Sequence, residues 1–165
     1  MTKRRYRKLV ARRLSPDFAT AVDIVEENLP ALSADQILIR NQFAGINAGF
    51  DTLLCRGEVP YVNPTPPFDL GVEAVGTVEA VGSAVTAFQV GDAVATTQRG
   101  HGYREYQVIR SDLAVKIRAA TPEILTLMPT GISALVGLEQ VGEMRTQETD
   151  LVTAAAGGIG HIAVQ

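Results

Sequence analysis

The last fifteen residues, LVTAAAGGIGHIAVQ, constrain the chain more than any other stretch. Leu151 to Ala155 is a short apolar run with β-branched Val152 and Thr153. It follows polar Glu148, Thr149 and Asp150, and it predicts a buried parallel strand. Glycines come next. Ala155, Gly157 and Gly160 reproduce the G-x-G-x-x-G spacing with alanine in first place, where a methyl group still permits the turn. Gly157 would let backbone N–H groups approach a pyrophosphate, and Gly160 would let helix and strand pack closely. The helix that follows, carrying Gly158 and Ile159 at its entrance, would turn its positive end to the phosphates. Two readings fit this spacing: a dinucleotide site, and a glycine turn that holds no ligand. A complete strand–helix–strand unit needs roughly 30 residues or more, of which only the opening is present. The side chain that reads the adenosine ribose would stand about 20 residues further on, so NAD and NADP are not separated.

A length of 165 residues suits one domain, or one domain and the start of another. Apolar residues make up 46% and charged residues 20%, which describes a globular chain able to bury a core. No apolar run of roughly 18 residues is evident, and no basic start leads into an apolar stretch. No membrane span is therefore expected, and a cytoplasmic location is. Cys55 is the single cysteine, so an intrachain disulfide and an all-cysteine metal cage are both excluded. The net charge of −3 hides an asymmetry. Residues 1–13 carry Lys3, Arg4, Arg5, Arg7, Lys8, Arg12 and Arg13 with no acid, leaving eight basic residues against eighteen acidic ones elsewhere. Such an arm can touch nucleic acid or an anionic membrane, or direct transit. A first strand with charged flanks is preferred, because serine is not enriched and the basic residues run straight into Leu9-Val10-Ala11.

Arg7 to Leu14 and Thr20 to Glu26 read as strands around the turn Ser15-Pro16-Asp17. Gln36 to Ala44 alternates as a half-buried strand should, and Gly45 to Gly49 breaks the pattern. Residues 57–67 hold four prolines and predict a loop. From Gly71 to Ala95, valine-rich segments punctuated by Gly71, Gly76, Gly82 and Gly91 predict a small, bent antiparallel barrel. The texture then changes. Thr121 precedes Pro122 as a cap, and a helix is expected to Leu127. A second is expected through Ile132, Leu135, Val136, Leu138 and Val141, stopping at Gly142. A β domain thus gives way to α/β near residue 120.

Six blocks in order, GINAGFD (45–51), PPFDLGVEAVGTVEAVG (66–82), VGDAVA (90–95), GYREYQV (102–108), LTLMPTGISALVGL (125–138) and LVTAAAGGIG (151–160), resemble the quinone oxidoreductase branch of the medium-chain dehydrogenases. The resemblance implies a GroES-like (chaperonin-10-like) β-barrel domain over residues 1–120. The first βα unit of a Rossmann domain, cut short, would follow over 121–165. It implies an enzyme that reduces the C=C bond of α,β-unsaturated ketones, or reduces quinones, with NADPH or alternatively NADH, as a homodimer. The 165-residue chain alone is expected to turn over little or nothing.

Carried over residue by residue, the resemblance gives Asn47 a hydrogen bond near the nicotinamide or the substrate carbonyl; on its own sequence Asn47 reads equally as a residue tolerated in a left-handed turn. Ser133 would lie under the nicotinamide, or simply back-bond within its helix. Ala155, Gly157, Gly158, Ile159 and Gly160 would hold the pyrophosphate. Tyr61, in the proline-rich loop, would donate a proton or merely pack. Glu73 and Asp69 read as structural acids of the barrel, and Arg104 as a surface charge or an anion contact. The branch spaces its Asn and Asp as N-x-x-D, whereas one more residue separates Asn47 from Asp51.

Zinc is not expected. Zinc-dependent relatives place cysteine where Asn47 stands and histidine where Val72 stands, and Cys55, His101 and His161 lack ligand spacing. They read instead as a packed thiol, a loop imidazole and a helix-surface imidazole. A reading of another class remains, in which the β domain senses a nucleotide or binds a partner and the basic arm binds RNA.

Overall fold

The structure, a computed structural model, describes residues 4–165. Lys3 of the basic stretch lies outside the described residues. Two compact units are present, one ending at Leu125 and the other Thr126–Gln165.

The first unit is built from two antiparallel sheets. Strands β1 (Arg5–Ala11) and β2 (Val22–Asn28) pair from Arg5↔Asn28 to Ala11↔Val22, and β1 also pairs with β4 (Phe68–Asp69). The expected turn lies between β1 and β2, but β2 begins later than Thr20. Asp17 accepts a hydrogen bond from the Ala19 N–H at 3.0 Å and so caps a single helical turn, α1 (Phe18–Ala21). Five basic residues of this stretch find acids, some in the hairpin and some beyond it. Arg4 meets Glu79, Arg5 meets Glu26, Arg7 meets Glu105, Lys8 meets both Glu27 and Asp69, and Arg12 meets Asp23. Over Arg5–Ala11 the stretch is a charged strand of a sheet.

The second sheet has the order β7-β3-β5-β6-β8, with β3 spanning Gln36–Ala44, β5 Ala74–Val81, β6 Ala93–Thr96, β7 Tyr106–Arg110 and β8 Ala114–Lys116. Within it β3 pairs with both β7 and β5, and its first half is buried on both faces. Ile37 and Ile39, fully buried, pack with Val78, Val94 and Ile109, while Leu38 on the other face packs with Tyr6 and Tyr106. Register shifts along the β3–β5 pair, between Leu38 and Ile39 and between Asn41 and Phe43, add local twist and bend to the sheet.

A helix that sequence patterning missed, α2 (Ala48–Arg56), packs its buried face into this unit. It fills the stretch where Gly45 to Gly49 breaks the strand pattern. Leu54 and Cys55 on its inner face join Ala11, Ala21, Val59 and Leu70 in a third cluster. Burying a leucine such as Leu54 contributes about 2 kcal/mol.

The two expected helices are one, α3 (Pro122–Val141), which belongs to the second unit from Thr126 onward. Pro129 has no N–H to give the ladder, and looser π turns at Leu127–Gly131 and Val136–Val141 flank the α turn Ile132–Leu135. This also corrects an expectation. By length and composition α3 is apolar enough to cross a membrane, a test that core helices of soluble proteins also pass. Leu151 to Ala155 forms no strand. A single extended segment cannot pair its backbone groups without a neighbour, and here it bends through Ala154, whose φ is 52°, leaving Leu151 91% exposed. Helix α4 (Gly160–Ala163) follows.

Candidate active site

Asn47 sits at the start of α2, where its side chain accepts a hydrogen bond from the Phe50 N–H at 3.3 Å. Its φ of −103° is not left-handed, so the turn reading of this asparagine is replaced by a helix cap. Asp51 lies one turn on. Positions 51, 54 and 55 share a face by the i, i+3, i+4 rule, and that face is the one α2 buries. A carboxylate therefore enters an apolar interior, and Asp51 is only 3% exposed.

What receives it is Tyr103. The Tyr103 hydroxyl and Asp51 Oδ2 share a hydrogen bond at 2.5 Å, and Asp51 Oδ1 is buried without a hydrogen-bond partner. Glu73 has a second unpartnered buried oxygen, Oε2. Burial raises the Asp51 carboxyl above the ordinary carboxylate range, against the opposing pull of the Tyr103 hydroxyl and the backbone at Asn47. Burial raises Glu73 as well, with Asp51 adding to it, and raises the Cys55 thiol for the same two reasons. Tyr103 is pushed well above the usual phenol range by burial and by its bond to Asp51.

Backbone and side-chain bonds fix Tyr103 in place. Its N–H donates to Leu70 O at 3.2 Å and its carbonyl accepts from the Leu9 N–H at 2.9 Å. The Asn41 amide donates to the carbonyls of His101, Gly102 and Arg104, while Gln107, 1% exposed, donates to Asn41 Oδ1 at 2.6 Å and to Thr96 Oγ1 at 3.0 Å. This buried network holds the loop that presents the phenol. Beside it opens an apolar pocket of about 520 Å³, walled by Leu9, Phe18, Ala44 and Ile46, with Asp51 and Tyr103 in the wall. Neither Tyr103 nor the Asp51–Glu73 pair was legible as a site from spacing alone; the one available signal was an acid at helical spacing from buried Leu54 and Cys55.

Other expected residues fall as follows. Tyr61, in the loop at 57–67, is 81% exposed, with no hydrogen bond among the described residues. Arg104 is no surface charge: its side chain is 9% exposed and donates to Asp69 and to the Gly100 carbonyl. Asp69 is a structural acid, shared by Arg104 and Lys8. Glu73 has one buried oxygen, Oε2, without a hydrogen-bond partner. His101 carries a buried, unpartnered Nδ1, and Cys55 is a fully buried thiol.

In the second unit the Ser133 hydroxyl donates to Pro129 O at 2.6 Å, the back-bond of a helical serine. The glycine turn is tight. A Cβ on Gly160 would lie 2.2 Å from Ala154 O, so only glycine fits there. Gly157 N–H donates to Ala154 O, but the amides of Gly158, Ile159 and Gly160 have no backbone acceptor among the described residues. Ala155 and Gly158 are exposed.

Comparison with known proteins matches residues 33–119 to the family model described as the alcohol dehydrogenase GroES-like domain. Prostaglandin reductase-3 of Mus musculus is 40% identical over 164 residues, covering 98% of this chain and 43% of the relative. A probable quinone oxidoreductase of Leishmania amazonensis is 35% identical over 161 residues, covering 97% of this chain and 46% of the relative. The crystal structure of Escherichia coli quinone oxidoreductase complexed with NADPH superimposes with a TM-score of 0.78 at 29% identity, over 96% of this chain and 48% of that one. The chain spans under half the length of these curated relatives.

Proposed function

Because the chain belongs to the family built on the alcohol dehydrogenase GroES-like domain, we propose that it serves an NADPH-dependent, zinc-independent oxidoreductase that reduces the C=C bond of α,β-unsaturated ketones. The observation that carries this reading is the apolar pocket at the start of α2, with Asn47 at the head of the same helix and a hydrogen-bonded Tyr103–Asp51 pair in its wall. An apolar body bearing one polar atom suits such a pocket.

The residues of the second unit suit a dinucleotide. Three successive amides, Gly158 to Gly160, have no acceptor in their own turn and can take phosphate oxygens, with Ala155 and Gly157 shaping the turn. Ser133 is the polar group of α3 assigned to the nicotinamide side. When bound, the cofactor supplies a hydride. Negative charge then develops on the substrate carbonyl oxygen, and donors waiting there stabilise the transition state more than the ground state. Asn47 is one such donor, since its Oδ1 is spent on Phe50 and its amide N–H groups are not.

The test is NADPH oxidation by the intact protein with an α,β-unsaturated ketone and, separately, a quinone, with NMR identification of the product. A saturated ketone is the expected product. No NADPH consumption with the enone overturns the reading. Quinone reduction is the second reading, favoured by the relatives that carry that name, and faster turnover of the quinone would select it.

A further inference from the structure

The pocket beside α2 holds more information than its shape. Of the polar side chains on its wall, Thr52 has spent its proton on the Ala48 carbonyl at 2.7 Å. Tyr103 and Asp51 are bonded to each other, and the second Asp51 oxygen has no partner at all. We infer that Tyr103 is the hydrogen-bond and proton donor to the carbonyl oxygen of the substrate, and that Asp51 resupplies its proton. This rests on the reductase reading above.

The argument concerns which way the Tyr103–Asp51 bond runs. If Asp51 is a carboxylate, the phenol hydrogen points at it and nothing is offered to the pocket. If Asp51 is protonated, its O–H donates to the Tyr103 oxygen and the phenol hydrogen is released toward the pocket. The surroundings favour the second state: the titratable groups facing Asp51 are Tyr103, Glu73 and Cys55, none of them cationic, and Asp51 is only 3% exposed. Burial opposes ionisation more strongly than the Tyr103 hydroxyl and the backbone at Asn47 favour it. Tyr61, the donor suggested by its loop, is mostly in solvent and makes no hydrogen bond among the described residues.

The step balances. Hydride arrives at the β-carbon of the enone, the C=C electron pair shifts toward the carbonyl, and the oxygen takes the Tyr103 proton. Tyr103 takes the Asp51 proton in the same movement, so no free phenolate forms and the high affinity of this phenol for its proton is no obstacle. Asp51 recovers a proton from water, and the enol converts to the saturated ketone.

The experiment uses 2-cyclohexenone labelled with carbon-13 at the carbonyl, added to the intact protein without cofactor and read by infrared difference spectroscopy. Wild type is expected to lower the carbonyl stretching frequency, and Tyr103→Phe to abolish that shift. Asp51→Asn, whose amide can still donate to the Tyr103 oxygen, should keep the shift but lower kcat about a hundredfold and remove the fall of kcat with rising pH. An identical carbonyl frequency in wild type and Tyr103→Phe, or no bound probe, overturns the inference. Unchanged kcat in Tyr103→Phe overturns it while leaving the reductase reading intact. A carbonyl shift without NADPH oxidation by any enone overturns the reductase reading, and proton transfer with it.

Discussion

Gly71 and Tyr103 approach so closely that a Cβ on Gly71 would lie 2.4 Å from the Tyr103 backbone nitrogen. Gly71 also has φ +82°, a left-handed conformation that costs a residue with a Cβ about 1 kcal/mol. The obstacle is backbone, which cannot swing aside as a side chain can. Gly71→Ala is expected to destabilise the protein by about 3 kcal/mol, or about 10 °C in melting temperature. Because the displaced segment carries the phenol, the variant should also weaken binding of the cyclohexenone probe. A thermal melt within 2 °C or so of wild type would contradict the packing described.

Asp51→Asn replaces a buried ionisable carboxyl with a neutral side chain that can still hydrogen-bond Tyr103. The folded carboxyl titrates above its unfolded value, so the folded state holds its proton more tightly and loses stability as pH rises toward and past the folded pKa. The variant is thus expected to be more stable than wild type at pH 7, by about 1 kcal/mol, with the advantage gone near pH 3. Denaturant melts of both proteins across that range measure it. An advantage that grows on acidification would reverse the sign.

The barrel was legible because β3 alternates and the glycines around β5 punctuate it; a two-residue period and forced turns are local signals. Helix α2 was not, since GINAGF holds two glycines, Gly45 and Gly49, whose low helix propensity masks the Asn47 cap and the Leu54, Cys55 face behind it. The six motif blocks pointed to the right family. They said nothing of Tyr103 and Asp51, 52 positions apart in sequence, whose meeting depends on Asn41 and Gln107 pinning a loop. Leu151 to Ala155 reads as a strand by composition, but a strand exists only through its neighbours.

Asn47 combines a cap with a proposed substrate contact, and substitutions separate the two. Asn47→Ala should cost about 1 kcal/mol of stability through the lost bond to Phe50. Asn47→Ser keeps a capping oxygen and should melt near wild type. If the amide N–H serves the substrate, both variants lower kcat/KM by a similar factor, of about tenfold or more for one lost hydrogen bond. Full activity in Asn47→Ser would assign the residue to capping alone.

RNA binding by the basic stretch is expected to be weak and flat in salt. Arg4, Arg5, Arg7, Lys8 and Arg12 each face an acid, which leaves few unscreened cations to release counterions from phosphate. Titration of single-stranded RNA at two salt concentrations checks this. Tight binding at low salt that falls steeply at high salt would restore the arm as a nucleic-acid contact.

His101 should make the protein acid-sensitive. Burial, with Arg104 adding its charge, lowers the imidazole from 6.5 to about 4, so between those values the unfolded chain binds a proton that the folded one refuses. Stability therefore rises with pH through this window and is fully present above pH 6.5 or so. At pH 5 the loss should reach about 2 kcal/mol. Asp51 acts in the opposite direction, which is why the comparison needs a variant: His101→Gln should lose the slope between pH 4 and 6.5 while Asp51→Asn retains it. Melting curves for the three proteins at half-unit pH intervals distinguish the two groups, and an unchanged slope in His101→Gln would place the acid sensitivity elsewhere.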